Sequence, residues 1–182
     1  DPQCSEKVAD FTQMLLQHID TLSDISDAFS SFVSMPPQKK ERTDLNAIIR
    51  HAIAIFDLPY IRFESKQEQI CLWVDKNQMN RMLTNLLKNA IYATDNIPDP
   101  LIEVTTYVTG DFAYIVVKDN GSGVPPELQE RIFEPKFTTK NTAGSGLGLT
   151  MVKHIINAHG GTITLNSEVG KGATFTVELK IR

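Results

Sequence analysis

Asn85 and Asn89 stand one helical turn apart in DKNQMNRMLTNLLKNAIYAT, residues 75–94. Residues four apart share a helix face, so two side-chain amides are presented together. An amide oxygen is a neutral, hard donor, suited to magnesium that already carries phosphate oxygens. Asparagine is also a poor helix former, and the same pair could sit without function on a solvated face. Further along comes Asp119-Asn120-Gly121-Ser122-Gly123. Ala113, Ile115 and Val117 alternate ahead of Asp119, a phase that turns its carboxylate toward the core. A carboxylate aimed there needs a partner. The exocyclic amine of adenine is one, with Gly121 and Gly123 letting the backbone come close to a flat base. An Asx turn closing a hairpin is the other reading.

The third piece is Gly144-Ser145-Gly146-Leu147-Gly148-Leu149, a Gly-rich turn leading into a helix. The N–H groups at a helix start, with the helix dipole, suit phosphate. No GxxxxGK[ST] occurs, and the turn follows a loop rather than a strand, so it is neither a P-loop nor a dinucleotide fingerprint. Lys140, just upstream, could reach a terminal phosphate as a point charge or simply be solvated. In this order and spacing, the three pieces point to an ATP–magnesium site.

These groups need elements to hold them. Residues 4–35 read as one long helix with Val8, Phe11, Leu15, Leu22, Ile25, Phe29 and Phe32 on a heptad seam. His18 is the polar occupant of that seam. Such a stripe must meet another helix, from a second copy or from sequence missing here. Met35-Pro36-Pro37 ends it, and 38–42 reads as a polar linker. Thr43 or Asp44 can cap a helix over Leu45–Asp57. Strands are expected at 61–65 and 70–74, then the Asn-rich helix at 76–94. A hairpin follows at 101–109 and 112–119, across Gly110-Asp111. Pro125-Pro126 opens a short helix, 133–145 is a loop, and 146–159 is a helix closed by Gly160-Gly161. A hairpin at 162–167 and 173–181 ends the chain. The pattern predicts an α+β, two-layer α/β sandwich, with a mixed sheet carrying helices on one face, preceded by a long N-terminal helix.

The totals narrow the class. With 182 residues, 41% of them apolar, the chain can build one core or one domain plus an appendage. A net charge of −4 argues against nucleic acid as the main partner. No run of 18 apolar residues occurs and no signal peptide opens the chain, so no membrane contact is expected. Cys4 and Cys71 read as reduced thiols of a cytosolic protein, and the four histidines form no metal cluster.

The ordered motifs resemble the ATP-binding half of bacterial two-component sensor histidine kinases, in the wider group with gyrase B, Hsp90 and MutL. Asn85 to Ala90 is similar to the N box, Asp119 to Gly123 to the G1 box, Ile132 to Lys140 to the F box, and Gly144 to Leu149 to the G2 box. Gly170-Lys171-Gly172-Ala173-Thr174-Phe175 is similar to the closing GxGxxF hairpin. Phe29 to Pro36 resembles the end of the second dimerisation helix of nitrogen-regulation-type kinases. The resemblance implies a Bergerat-type ATP-binding domain over 43–182, a partial dimerisation region over 1–37 and a linker at 38–42.

It also implies roles. Asn89 would hold Mg2+ with Asn85 assisting. Asp119 would accept from the adenine amine, with Gly121, Gly123 and Thr174 near the base. Gly144, Gly146, Leu147 and Gly148 would cradle phosphates, and Lys140 would meet the γ-phosphate. Residues 133–145 would form a lid held by Phe133 and Phe137. Lys136, Tyr92 and Ala173 depart from the family pattern. His18 is followed by Ile19 and lacks the acidic residue and proline of an acceptor segment, so the chain is expected to be a fragment that begins after the acceptor helix.

The implied function is transfer of the ATP γ-phosphate to a histidine missing from this chain, for relay to a response regulator receiver domain. The parent would be a homodimer whose cytoplasmic part includes this region. One alternative is an ATP-hydrolysing member of the superfamily. Such members carry a glutamate one turn before the metal asparagine, and Asn85, which cannot act as a base, holds that place. The other is a non-enzymatic dimerisation scaffold with a degenerate pocket.

Overall fold

In a computed structural model, the structure describes residues 37–135, 137 and 146–181, with Thr12 and Ile19, both helical. The rest of the helix expected over 4–35, His18 included, lies outside the described residues.

Asp44 organises the entry to the domain. Its side chain accepts from the Asn46 amide at 3.1 Å and the Ile70 amide at 3.2 Å, which caps a helix and ties down a strand start. Among the described residues the order is β1 (Glu41–Asp44), α1 (Leu45–Phe56), β2 (Ile61–Ser65), β3 (Cys71–Val74), α2 (Lys76–Thr94), β4 (Ile102–Thr109) and β5 (Phe112–Asp119). Two short 3-10 turns follow, then α3 (Gly148–Ala158), β6 (Thr162–Glu168) and β7 (Gly172–Lys180).

Five strands form one sheet in the order β2-β4-β5-β7-β6. β2 runs parallel to β4, and the other pairs are antiparallel. Alternate residues Ile102 and Val104 of β4, Ala113, Ile115 and Val117 of β5, and Phe175, Val177 and Leu179 of β7 are buried with the helices. On α2 the buried stripe is Met79, Met82, Leu83, Leu86, Leu87 and Ala90. Removing one such leucine side chain costs about 2–5 kcal/mol. Asn46 is wholly buried yet satisfied: Nδ2 donates to Ser65 Oγ and to the Gln67 and Glu68 carbonyls, and Oδ1 accepts from Thr106.

β1 pairs antiparallel with β3, with Arg42 opposite Trp73. Sequence reading assigns Glu41 and Arg42 to the linker. Their side chains are exposed, so no apolar alternation announces a strand held by backbone bonds alone. The segment before it is also docked. Asp75 caps α2, its Oδ1 accepting from Asn77 and Gln78 at 3.0 Å and its Oδ2 from the Lys39 amide at 2.9 Å. Burial alone would raise the Asp75 carboxyl, but the amides of Gln78, Lys39 and Asn77 outweigh it and hold it below 3.8. His159, at the end of α3, accepts from the Asp75 amide through Nε2 at 3.1 Å. Gln38 Nε2 lies 3.4 Å from His159 Nδ1 and Lys40 donates to the Ala158 carbonyl at 3.5 Å, so this segment touches the end of α3 as well as the start of α2.

Candidate functional site

α2 is the spine of the site. Asn85, Asn89 and Ala93 follow one another at four-residue steps and share one stripe of the helix. Asn85 Nδ2 donates to the Arg81 carbonyl at 2.9 Å, which fixes the amide. Its Oδ1 faces the head of α3, where a methyl group added to Gly148 would come within 3.2 Å of it. That head follows Gly146, at φ +64°, and its N-cap, Leu147, supplies no side-chain hydrogen bond. A helix start without a capping side chain suits an anion.

At the other end of the stripe, the Ala93 carbonyl accepts from the Ser122 amide at 3.1 Å. Gly121 lies so close that a side chain there would collide with the Ala93 carbonyl and methyl. The two ends are about 12 Å apart along the helix. Sequence reading missed Ala93, although its spacing from Asn89 places it on the same stripe.

Asp119 ends β5 facing inward, 3% exposed. Its Oδ1 accepts from the Gly121 amide at 2.9 Å and the Ala173 amide at 3.2 Å. Neither bond uses Oδ2. Burial pushes this carboxyl above its ordinary 3.8, against the pull of the Gly121 and Ala173 amides. Gly123, at φ +71°, backs onto the Glu168 carbonyl. With Oδ1 held by these two backbone amides, Oδ2 is left to accept from a further donor.

Residues 74–182 match the family described as "Histidine kinase-, DNA gyrase B-, and HSP90-like ATPase". The chain belongs to that family.

Relatives of this ATPase-family chain point to one branch of it. The nitrogen regulation protein NtrY of Azorhizobium caulinodans is 33% identical over 93% of this chain and 23% of its own length. The catalytic domain of the histidine kinase ThkA superposes with TM-score 0.70 at 31% identity, over 79% of this chain and 96% of that one. ThkA in complex with the response regulator TrrA gives TM-score 0.81 at 25% identity, over 97% of this chain and 52% of that one. The chain spans 23–31% of the length of the first curated relatives it matches. Among the described residues, no helix is long and apolar enough to cross a membrane.

The remaining expected site residues of this family member sort as follows. Asn85 and Asn89 lie along α2, Asp119, Gly121 and Gly123 lie at the end of β5 and in the loop after it, and Gly146, Leu147 and Gly148 lie at the head of α3. Thr174 does not join them. It stands opposite Lys118 and Asn166, on the face of β7 away from buried Ala173 and Phe175. Ala173 takes its place, through its backbone amide. Period-two alternation from Phe175 carries that signal, since it turns residue 173 inward and 174 outward. Lys140, Gly144 and Lys136 lie outside the described residues. Phe133 meets Phe175 edge to face, ring centroids 6.4 Å apart, and Arg131 covers the Phe137 ring at 4.9 Å. Both ends of the expected lid anchor are thus packed against the core. Tyr92 is 49% exposed.

Among the described residues, no group of three or more His, Cys, Asp or Glu side chains could hold a metal ion. The amide oxygens of Asn85 and Asn89 fit magnesium that arrives with most of its shell filled by phosphate and water.

Proposed function

We propose that this chain is the catalytic, ATP-binding region of a two-component sensor histidine kinase. The carrying observation is the stripe Asn85–Asn89–Ala93. It has an anion-suited helix head at one end and a buried carboxylate beside a close-packed glycine at the other. A nucleotide lying along α2 puts its phosphates at Asn85 and Gly148 and its base at Asp119. Asp119 Oδ2 accepts from the adenine amine, and Gly121 lets the base lie close to the backbone. Asn89, assisted by Asn85, holds Mg2+. Bound magnesium supplies neutralisation of phosphate charge. The amides at Gly146, Leu147 and Gly148, with Gly144, cradle the phosphates, and Lys140 meets the γ-phosphate. Catalysis here is positioning plus electrostatic stabilisation.

The acceptor is a histidine on a dimerisation helix outside this chain, and the phosphoryl group passes on to a response regulator aspartate. The ThkA complex with TrrA supports that partner. Residues 1–37 are a partial dimerisation region that contributes the second helix of a homodimeric bundle, 38–42 lead from it into the catalytic domain, with Glu41 and Arg42 already paired in β1, and 43–182 carry the catalytic domain. The region works in the cytoplasm.

Calorimetric titration with ATP, with and without Mg2+, beside an ADP-release assay, tests this reading. Magnesium-dependent binding without steady turnover is expected. Sustained hydrolysis moves the chain to the ATPase branch, and absence of binding leaves a scaffold.

A further inference from the structure

Ser167 sits where the Asp119 loop meets the β6–β7 hairpin. Its hydroxyl accepts from the Val124 amide at 2.8 Å and donates to the Gly172 carbonyl at 2.8 Å. Val124 closes the loop that begins at Asp119, and Gly172 immediately precedes Ala173, whose amide binds the Asp119 carboxylate. Ser167 and Ala173 are cross-strand partners. Gln129 doubles the link, its Nε2 donating to the Val124 carbonyl at 3.1 Å and the Ser167 carbonyl at 2.9 Å. The Gly170 amide adds a bond to the Ser122 carbonyl at 2.8 Å. Gly172, at φ +93°, packs its Cα against the Asp119 carbonyl so closely that any side chain would collide there.

We propose that Ser167, supported by Gln129, is a positioning residue for base recognition: its hydroxyl locks the hairpin to the loop and so sets where the Asp119 carboxylate stands. One hydroxyl serves as both donor and acceptor, so each bond fixes the other's direction. Two contacts of Asp119 depend on the parts it joins, the Ala173 amide from the hairpin and the Gly121 amide from the loop. A slip between them moves Oδ2 relative to the base and leaves the phosphate end on α2 and α3 untouched. The effect of losing Ser167 is therefore confined to the base. A general loss of fold would weaken every nucleotide alike.

This inference rests on Asp119 reading the adenine amine. The test measures affinity for ATP and for inosine triphosphate, which carries a carbonyl in place of that amine, in the wild-type chain, Ser167→Ala and Ser167→Thr. Wild type is expected to prefer ATP. In Ser167→Ala, ATP affinity should fall roughly threefold to tenfold while inosine triphosphate changes by less than about twofold, narrowing the preference. Ser167→Thr, which keeps the hydroxyl, should restore it. An undiminished preference in Ser167→Ala overturns the role of Ser167 and leaves the proposed function standing. Lack of preference in wild type overturns the reading of Asp119 and this inference with it. Should Ser167→Ala fail to fold, Gln129→Met, which removes both amide bonds at similar size, must narrow the preference; if it does not, the proposal fails.

Discussion

Gly148 at the head of α3 stands against Asn85 of α2, so that a methyl group at Gly148 would lie 3.2 Å from the Asn85 Oδ1 atom. That distance is tighter than ordinary contact, and the amide must yield. Gly148→Ala also replaces a helical glycine, which by itself favours the helix. The expected outcome is unchanged or slightly raised thermal stability with weaker binding of ATP and magnesium. A displacement worth about 1 kcal/mol lowers affinity about fivefold. AMP, which lacks the phosphates at that end, should bind the variant as it binds wild type. Parallel titrations with both nucleotides check this, and equal losses for both would contradict it.

Asp119 holds a charge in a buried place. Burial raises its pKa above 3.8, so the ionised form costs the folded state stability at neutral pH. An asparagine side chain in its place would keep an oxygen for the Gly121 and Ala173 amides without the charge. Asp119→Asn is therefore expected to melt at the same temperature or higher. Its adenine-nucleotide affinity should fall about tenfold to a hundredfold, the range for a hydrogen bond to a charged group. Thermal melts and calorimetry on one preparation decide it. An undiminished affinity would remove Asp119 from the base site.

Lys140 is proposed to meet the γ-phosphate as a point charge. Lys140→Ala should then weaken ATP more than ADP. Titration with each nucleotide in the presence of magnesium reads the difference, and equal losses remove the role.

His159 gives the fold a pH dependence of definite sign. Its Nδ1 lies 2.8 Å from the Ile155 carbonyl and its Nε2 accepts from the Asp75 amide, which fixes a neutral ring. Burial is the main cause that holds it below its ordinary 6.5, with Lys40 acting the same way and the Ile155 carbonyl and Asp75 opposing. The unfolded chain takes up this proton more readily than the folded one. The contribution of His159 is thus complete above 6.5 and is lost as pH falls below that value. Denaturation midpoints at about pH 7.5 and about pH 5.5 should fall further in wild type than in His159→Gln. Equal falls would show that His159 does not carry the effect.

Much of this was legible in the chain. α2 spans Lys76–Thr94 and β2 and β5 span Ile61–Ser65 and Phe112–Asp119, the bounds that periodicity and turn residues predict. The inward phase of Asp119 follows from Ala113, Ile115 and Val117, because alternation is a local property of a strand. The stripe of Asn85 and Asn89 follows equally from helical repeat. The ordered motifs carried the family.

Other features rest on contacts between distant segments. β1 is a strand only because the β3 edge is there to pair with it. The parallel pairing of β2 with β4 spans the whole of α2 in sequence. That Ala173, rather than another inward residue of β7, meets Asp119 depends on the β5–β7 register, and that Ala93 meets Gly121 depends on how α2 lies across the sheet. The sequence by itself determined which side chains share a face, since that is set by the backbone repeat within one element. Only the tertiary structure decided which faces meet, since strand register and helix placement are set by packing of the whole core.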